Sequence, residues 1–431
     1  MMIKKLLVKS TIFLPALLLA SCNFTYQYVV SGLVGGAADE DVEDIDDAGT
    51  YDVKIWVDDR IVDLTKSQIG EFIANNGDKY KINAQVVATS ESVAAASMMQ
   101  DVQSGADIFC FAQDQLSRLK VSGALAKLPS AYVNALTSEM SLDAISAAKV
   151  NGEVYAYPIT SDNGYFLYYN KDVVSDEQSK NITEIIAACK AKGKKLYFSA
   201  RGDGFYAASY FMGTGCYSSW QINSETGKFD SYKDNYNSEQ GIIAAMGLKE
   251  LDDENGVVKD SSASQLGDKA GAVVSGIWDY EAAYKLLGDK LGCAELPSFT
   301  VEGTSYHLSS FDGYKLLGVK PQVDAKKASV CRKIARFLVN ESSQAQRFDV
   351  ASWGPTNVVA SQSEGVKSHP GLAALAAQHE YAKPQGQCPG GWFSAVATTA
   401  GAVKKDSTRA DIETLLKKHE SALADVLALQ D

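Results

Sequence analysis

The sequence predicts an α/β protein made of two lobes. Short apolar runs alternate with segments whose apolar residues recur at helical spacing, which indicates strands separated by helices. In the first part of the chain the predicted strands are 53–57, 82–88 and 107–112, and helical stripes lie at 69–73 and 93–102. Strands separated in this way form parallel or mixed sheets with helices on both faces.

The second half repeats this alternation without repeating the sequence. Its predicted strands are 194–200, 271–278 and 314–320, and a helix with Thr408 as its N-cap is predicted near the C-terminus. With 431 residues, 46% of them hydrophobic, the chain can bury two or three domain cores. We find no repeat of about 20 to 50 residues, so a solenoid is not predicted.

The first residues have the features of an export signal. Three lysines precede an apolar run from Ile12 to Ala20, which is too short for the roughly 20 apolar residues of a membrane span. The run ends in Leu-Ala-Ser-Cys, which resembles the bacterial lipobox. This resemblance implies removal of residues 1–21 and acylation of Cys22. The exported protein would then be held at the cell membrane by its acyl chains, facing the extracellular or periplasmic side.

Residues 22–50 are expected to form an acidic, flexible tether. Seven acids lie between positions 39 and 47, and such like charges repel one another and keep a segment extended.

Removing the three lysines of the signal from the formal charge of −12 gives −15 for the mature chain. This charge argues against nucleic acid or anionic lipid as a partner.

The sequence offers little support for catalysis or metal binding. Its four histidines have no HExxH-type spacing, and the chain has neither a GxSxG nor a GxxxxGK[ST] motif. The six cysteines after Cys22 lie at least 27 positions apart, so no CxxC pair exists, and disulfide pairing stays open. We therefore expect no enzyme activity, no metal and no cofactor.

Residues 202–207 match the GxGxxA spacing of dinucleotide-binding folds. The acid at the second position would face a pyrophosphate, and the bulky Phe205 and Tyr206 open the would-be helix. A cofactor site is therefore not predicted here. A loop that presents aromatic residues at a cleft and a plain turn both remain open.

Aromatic residues recur beside small or polar residues at the predicted ends of strands. These are Phe111, Tyr165, Trp278, Trp353 and Trp392. An aromatic ring stacks on the apolar face of a pyranose, while carboxylates and amides bind its hydroxyl groups. This placement predicts a sugar site. The alternative is that half or more of these rings belong to the core.

The chain also resembles the extracellular solute-binding proteins of sugar ABC importers, of the maltose and maltodextrin type. The resemblance covers the chain from about residue 51 to its end. It lies in blocks that occur in the same order: GADIFCFAQDQLSRLKVSGALAKLP, NGEVYAYPITSDNGYFLYYNKD, AGAVVSGIW, SFDGYKLLGV and ASWGPTN.

This resemblance implies a two-lobed, periplasmic-binding-protein-like fold that holds its ligand in a cleft and closes by hinge motion. The N-lobe would comprise 51–159 and 310–355, and the C-lobe 160–309 and 356–431. The protein would be a monomer that binds a di- or oligosaccharide and delivers it to the permease subunits of an ABC importer.

The aromatic placement and the resemblance together assign ligand contacts to residues spread along the chain. These are Asp58, Asp59, Arg60, Phe111, Asp114, Gln115, Asp162, Asn163, Tyr165, Asp203, Tyr206, Trp278, Trp353, Trp392 and Phe393. Gln115 stands where the family has an arginine, and 202–206 stands where the maltose proteins have Glu-Pro-Tyr. Because the polar contacts differ, maltose itself is not assigned.

Two other functions remain open. One is a receptor of the same fold for a non-sugar solute, such as a polyamine or a peptide, and a polyamine would use the acids Asp58, Asp114, Asp162 and Asp279. An exported glycan-active enzyme would need two carboxylates about 5 to 9.5 Å apart. Asp58, Asp114, Asp162 and Asp203 are the candidates for that pair.

Overall fold

Two five-stranded sheets organise the fold. The computed structural model describes residues 45–223 and 225–429, so the predicted signal, Cys22 and most of the tether lie outside the described residues. The strands are β1 Gly49–Val57, β2 Tyr80–Ala88, β3 Ile108–Ala112, β4 Lys149–Val150, β5 Glu153–Val154, β6 Tyr157–Thr160, β7 Tyr165–Asn170, β8 Lys195–Tyr197, β9 Ser218–Ile222, β10 Phe229–Asp234, β11 Val257–Val258, β12 Ala270–Gly276, β13 Leu291–Ala294, β14 Ser298–Val301, β15 Thr304–His307, β16 Phe311–Asp312, β17 Lys315–Val319 and β18 Lys383–Pro384.

Helices cover both sheets. They are α1 Val62–Asn75, α2 Glu91–Gln100, α3 Leu116–Val121, α4 Ser130–Glu139, α5 Leu142–Ala147, α6 Ile182–Ala191, α7 Gly204–Gly213, α8 Glu239–Leu248, α9 Tyr280–Leu287, α10 Ala325–Leu338, α11 Glu341–Ala351, α12 Glu364–Ser368, α13 Pro370–Gln378, α14 Gly390–Ala402 and α15 Arg409–Leu429.

Both sheets are mixed, which confirms the predicted fold class. The first has the order β2-β1-β3-β17-β6, in which β1 runs parallel to β2 and β3, and β17 runs antiparallel to β3 and β6. The second has the order β11-β8-β12-β7-β13, with β7 antiparallel to both of its neighbours. Every residue of β7, β12 and β17 is buried, as expected for strands covered on both faces.

Each sheet has its own hydrophobic core, and this division produces two lobes. The first core draws on 51–159 and 316–353, and the second on 165–311 and 388–423, with a smaller cluster beside it. The chain therefore passes between cores three times: after Ile159, after Phe311 and after Trp353. These crossings bring the ends of several strands to one boundary.

The last helix begins at the predicted cap. The Thr408 hydroxyl accepts a hydrogen bond from the Asp411 N–H at 3.2 Å, and the Asp411 carboxylate accepts one from the Thr408 N–H at 2.8 Å. This reciprocal arrangement satisfies two backbone donors at the start of α15. The prediction of Thr408 as N-cap is confirmed.

The end of the predicted tether differs from the structure. Strand β1 begins at Gly49, and Asp47 just before it is 0% exposed. Burial alone would raise the pKa of Asp47, but its partners hold that pKa well below the usual value. The partners are Lys333 at 2.6 Å, Lys79 at 2.8 Å, Ser329 at 2.8 Å and Tyr80 at 2.9 Å. The last acids of the run therefore include an anchor to the first lobe.

Replacing Asp47 tests this anchor. We expect Asp47→Asn to lower the free energy of unfolding by about 2 kcal/mol, because two lysines lose the carboxylate that they share. The loss should be seen by urea denaturation at pH 7. Since the pKa is lower in the folded state, the contribution of Asp47 is complete above about pH 4 and disappears as the pH falls further.

The exposed pair of Asp63 with Lys66 provides the control. Asp63→Asn should change the free energy of unfolding by less than about 0.5 kcal/mol, because both side chains are solvated. An equal loss of unfolding free energy in Asp47→Asn and Asp63→Asn would show that Asp47 does not stabilise the first lobe.

Candidate ligand-binding site

An ion pair at the end of β1 joins the two lobes. Asp58 follows the strand directly, and its carboxylate accepts hydrogen bonds at 2.7 Å from Nε and Nη2 of Arg60. The remaining guanidinium nitrogen, Nη1, donates to the carbonyl of Trp278 in the second lobe at 2.7 Å. Burial would raise the pKa of Asp58, but the hydrogen bonds and charge of Arg60 hold it well below its usual value.

Trp278 occupies a short turn that follows β12, and its ring is half-buried. The preceding Gly276 allows the ring to fold back over the strand, since a Cβ at this position would lie 2.2 Å from ring atoms of Trp278. The glycine two positions before Trp278, in the block AGAVVSGIW, is thus a packing requirement that directs the indole to the boundary between the lobes.

A buried carboxylate lies at the first crossing between the lobes. Asp162 accepts a hydrogen bond from the Gly354 N–H at 2.6 Å and another from the Thr160 hydroxyl. Burial raises the pKa of Asp162, and the charge of Lys315 opposes this shift. Asp162 therefore ties the first crossing to the third, where Trp353 and Gly354 lie.

Lys315 places a second cation at the same boundary. Its ammonium lies 3.0 Å from the Glu91 carboxylate, 4.2 Å from the ring centroid of Trp353 and 5.9 Å from that of Trp278. Arg60 lies 5.5 Å from the Trp353 centroid. Trp353 is thus a buried ring that supports two cations. We name the residues Asp58, Arg60, Glu91, Asp162, Trp278, Lys315 and Trp353 the lobe junction.

Aromatic rings form a second cluster inside the second lobe. The ring centroids of Tyr165 and Tyr206 are 5.0 Å apart, and Trp392 and Phe393 are 4.9 Å apart. Phe205 and Phe311 connect these two pairs, through contacts of 5.0 Å with Tyr165 and 6.2 Å with Trp392. Four of the predicted aromatic residues therefore belong to one continuous cluster.

A cavity of about 500 Å³ lies at one end of this cluster. Its lining includes Trp220, Tyr236, Phe311 and Trp392, together with the segment 383–388. The rings supply apolar surface, and Gln385 and Gln387 supply amides. A volume of this size is within the range of small-molecule sites, and the mixture of rings with a few polar groups is typical of them.

The segment 383–388 also contacts the first lobe. Gln387 donates a hydrogen bond to the Gln113 carbonyl at 2.8 Å and accepts one from the Ser117 N–H at 3.2 Å. Asn163, at the first crossing, donates to Gln385 at 2.8 Å. The wall of the cavity is therefore held by both lobes, so a change in their relative position would alter it.

Asp114 lies beside this contact and is buried. Burial raises the pKa of Asp114 to about 6, although the hydrogen bond from Gln115 and the charge of Arg118 oppose the shift. A carboxyl group with this pKa changes charge near neutral pH.

The structure divides the predicted ligand contacts into groups. Asp58, Arg60, Asp162, Trp278 and Trp353 meet at the lobe junction, whereas Tyr165, Tyr206, Trp392 and Phe393 form the aromatic cluster. Asn163, Asp114 and Gln115 lie near the segment 383–388. Their contacts with a ligand stay a prediction.

Three of the predicted residues lie apart from these groups. Phe111 is 0% exposed and packs in the first core, because β3 lies in the middle of its sheet. Asp59 is exposed in the turn after β1. Asp203 is exposed and accepts a hydrogen bond from the Phe205 N–H at 2.8 Å, so the GxGxxA match is the capped start of α7.

Several residues at these sites were not predicted. Glu91 carries no signal in the sequence, because its role depends on where α2 begins relative to β17. Lys315 did carry one, since a lysine opens an otherwise apolar strand. Trp220, Tyr236 and the amides of 385–387 reach the cavity only through the fold of the second lobe.

The six described cysteines are free thiols.

The two lobes of this protein meet at a junction of polar and aromatic residues. This arrangement is typical of two-domain ligand-binding proteins. The model of the family described as bacterial extracellular solute-binding protein matches residues 68–374. The chain belongs to this family. Among the described residues, no helix combines the length and the apolar character needed to cross a membrane.

Solved structures share the fold of most of this chain at low sequence identity. A protein solved with acarbose is 23% identical, with a TM-score of 0.75, and the match covers 88% of this chain and 100% of that one. The maltodextrin-binding protein MalE1 from L. casei BL23 is 20% identical, with a TM-score of 0.71 and coverages of 87% and 99%. A cyclo/maltodextrin-binding protein in complex with maltotetraose is 19% identical, with a TM-score of 0.66 and coverages of 87% and 96%.

The pKa of Asp114 predicts how stability depends on pH. In the folded state this pKa of about 6 exceeds the unfolded value of about 3.9, so the folded protein retains the proton between these pH values. Ionisation on raising the pH through this window therefore destabilises the fold. We expect the unmodified protein to lose stability relative to Asp114→Asn between about pH 4 and 7 in urea denaturation. Parallel curves for the two proteins would contradict the raised pKa.

Proposed function

We propose that this protein is a receptor that binds a di- or oligosaccharide between its lobes and delivers it to the permease of an ABC importer. It would be exported and held at the membrane by acyl chains on Cys22. The lobes would correspond to the predicted segments, with 51–159 and 310–355 in one and 160–309 and 356–431 in the other. The protein would act by binding and hinge closure, without chemistry of its own.

The lobe junction is the observation that carries this proposal. Asp58 and Arg60 from the first lobe meet Trp278 from the second, so a ligand held there would contact both lobes. The junction combines an indole ring with carboxylates and a guanidinium group. Sugars require both kinds of contact, because a pyranose has an apolar face and a rim of hydroxyl groups that donate and accept.

The cavity beside Trp392 gives further support. Its rings and amides match the same chemistry, and its wall includes the segment that both lobes hold. The family is one of extracellular receptors for solutes. The similar structures include proteins named for maltodextrin and solved with acarbose or maltotetraose, which favours a carbohydrate as the ligand.

The environment of three of the four acids assigned to a polyamine argues against that ligand. Such a ligand would need carboxylates that are free to pair with its ammonium groups. Asp58 is already paired with Arg60. Asp162 is buried, and its carboxylate accepts a hydrogen bond from the Gly354 N–H. The Asp279 carboxylate accepts hydrogen bonds from Ser275 and from the Ala263 N–H.

Calorimetric titration with neutral sugars tests the proposal. The panel would contain maltose, maltotriose, cellobiose, lactose and raffinose, with the protein lacking residues 1–22. We expect one or more of them to bind with a Kd of roughly nanomolar to tens of micromolar, which is about 7 to 12 kcal/mol. The sugar should be recovered intact. Lack of binding across a wider glycan panel would overturn the proposal, and a cleaved sugar would favour the enzyme instead.

Replacing Trp278 tests where the sugar binds. Trp278→Ala should weaken binding by about tenfold or more, because it removes the stacking ring at the junction. Tyr284→Ala is the matched control, since Tyr284 is an exposed aromatic residue on the neighbouring helix α9. Unchanged affinity in Trp278→Ala, with the melting temperature preserved, would place the ligand elsewhere.

The anchor has its own test. Cys22→Ser removes the thiol to which the lipid would be attached, so we expect the protein to move from the membrane fraction to the soluble fraction of cells that export it. An unchanged distribution between the fractions would contradict acylation at Cys22.

A further inference from the structure

Lys315 is a buried cation with unused hydrogen-bonding capacity. It opens β17, whose other residues are apolar, and it is 4% exposed. Its ammonium has an ion-pair contact with Glu91 at 3.0 Å and faces the rings of Trp353 and Trp278. This contact with Glu91 uses at most one of the N–H donors of the ammonium group. Since an ammonium group has three N–H donors, Lys315 can still donate to a ligand.

Each cation of the lobe junction is paired with a carboxylate. Arg60 is neutralised by Asp58, and Lys315 is neutralised by Glu91, whose side chain is largely buried at the start of α2. Asp162 adds a further carboxyl group close to both cations. No positive charge is therefore left over among these five groups to balance a negative charge on a ligand.

This balance has a consequence for binding. A ligand hydroxyl can accept a hydrogen bond from Lys315 or donate one to a carboxylate, and it brings no charge that must be desolvated. A ligand carboxylate would be desolvated and would also meet Asp58, Glu91 and Asp162. Like charges brought together in this way lower affinity and so exclude the wrong ligand.

We propose that the Glu91–Lys315 pair is a specificity determinant that admits uncharged saccharides and excludes those that carry a carboxylate. Glu91 acts through Lys315, because it cancels the charge that would otherwise attract an acidic sugar. The inference rests on the proposed sugar-binding function and adds to it the charge class of the ligand.

The test compares one sugar with its own acid. The probes are the neutral panel sugar that binds most tightly and the same sugar with one terminal CH2OH oxidised to a carboxylate. The unmodified protein should bind the acid at least about tenfold more weakly than the neutral sugar. Glu91→Gln leaves Lys315 without its counter-charge, so the preference for the neutral sugar should shrink by about tenfold or reverse.

Two further variants separate this effect from simple loss of an ion pair. Glu139→Gln breaks the pair of Glu139 with Arg336, which lies elsewhere in the first lobe, and should leave the preference unchanged. Glu91→Gln combined with Lys315→Gln removes both charges. The increase in affinity for the acidic sugar that Glu91→Gln produces should therefore disappear in this double variant. Melting temperatures would confirm that each variant is folded.

The outcomes distinguish this inference from the proposed function. If no sugar binds to the unmodified protein, both fail. If the neutral sugar binds but Glu91→Gln and the unmodified protein show the same ratio of affinities, only the assignment of Glu91 and Lys315 is overturned. Equal affinity of the unmodified protein for the sugar and its acid would overturn it as well.

Discussion

The hydrogen bond from Arg60 to the carbonyl of Trp278 joins the two lobes, and the geometry of the junction depends on it. A guanidinium group presents donors in a planar fork, so Arg60 can hold Asp58 with two nitrogens and still donate to the second lobe with a third. The ring of Trp353 lies against the same group. The turn that carries Trp278 is thereby placed against the end of β1, beside the paired carboxylate of Asp58.

Buried charge is the second constraint on this protein. An isolated charge inside a protein is strongly unfavourable, so each buried ion needs a partner or a set of hydrogen bonds. Asp47, Asp58 and Lys315 all have opposite charges within 3.0 Å. At the junction this pairing also holds polar groups in place before a ligand arrives, which reduces the cost of ordering them on binding.

The regular elements could be predicted from the sequence because they depend on local pattern. The apolar runs at 53–57, 82–88 and 107–112 lie within or almost coincide with β1, β2 and β3, and Thr408 caps α15. Local pattern was less informative for the acidic run, where only the density of charge was considered. Asp47 belongs to a run of acids that predicted a solvated tether, yet it is surrounded by Lys79 and Tyr80 at the start of β2 and by Ser329 and Lys333 of α10.

For the candidate site, the sequence by itself determined which residue types stand at the ends of strands, and hence Asp58, Asp162 and Trp278. It also determined the α/β class, because the spacing of apolar residues along the chain differs between strands and helices. Only the tertiary structure decided that Arg60 meets Trp278, 218 positions away, that Glu91 neutralises Lys315, and that Phe111 faces a core. Contacts of this kind depend on the packing of two lobes whose chain crosses between them three times, and no local pattern encodes that packing.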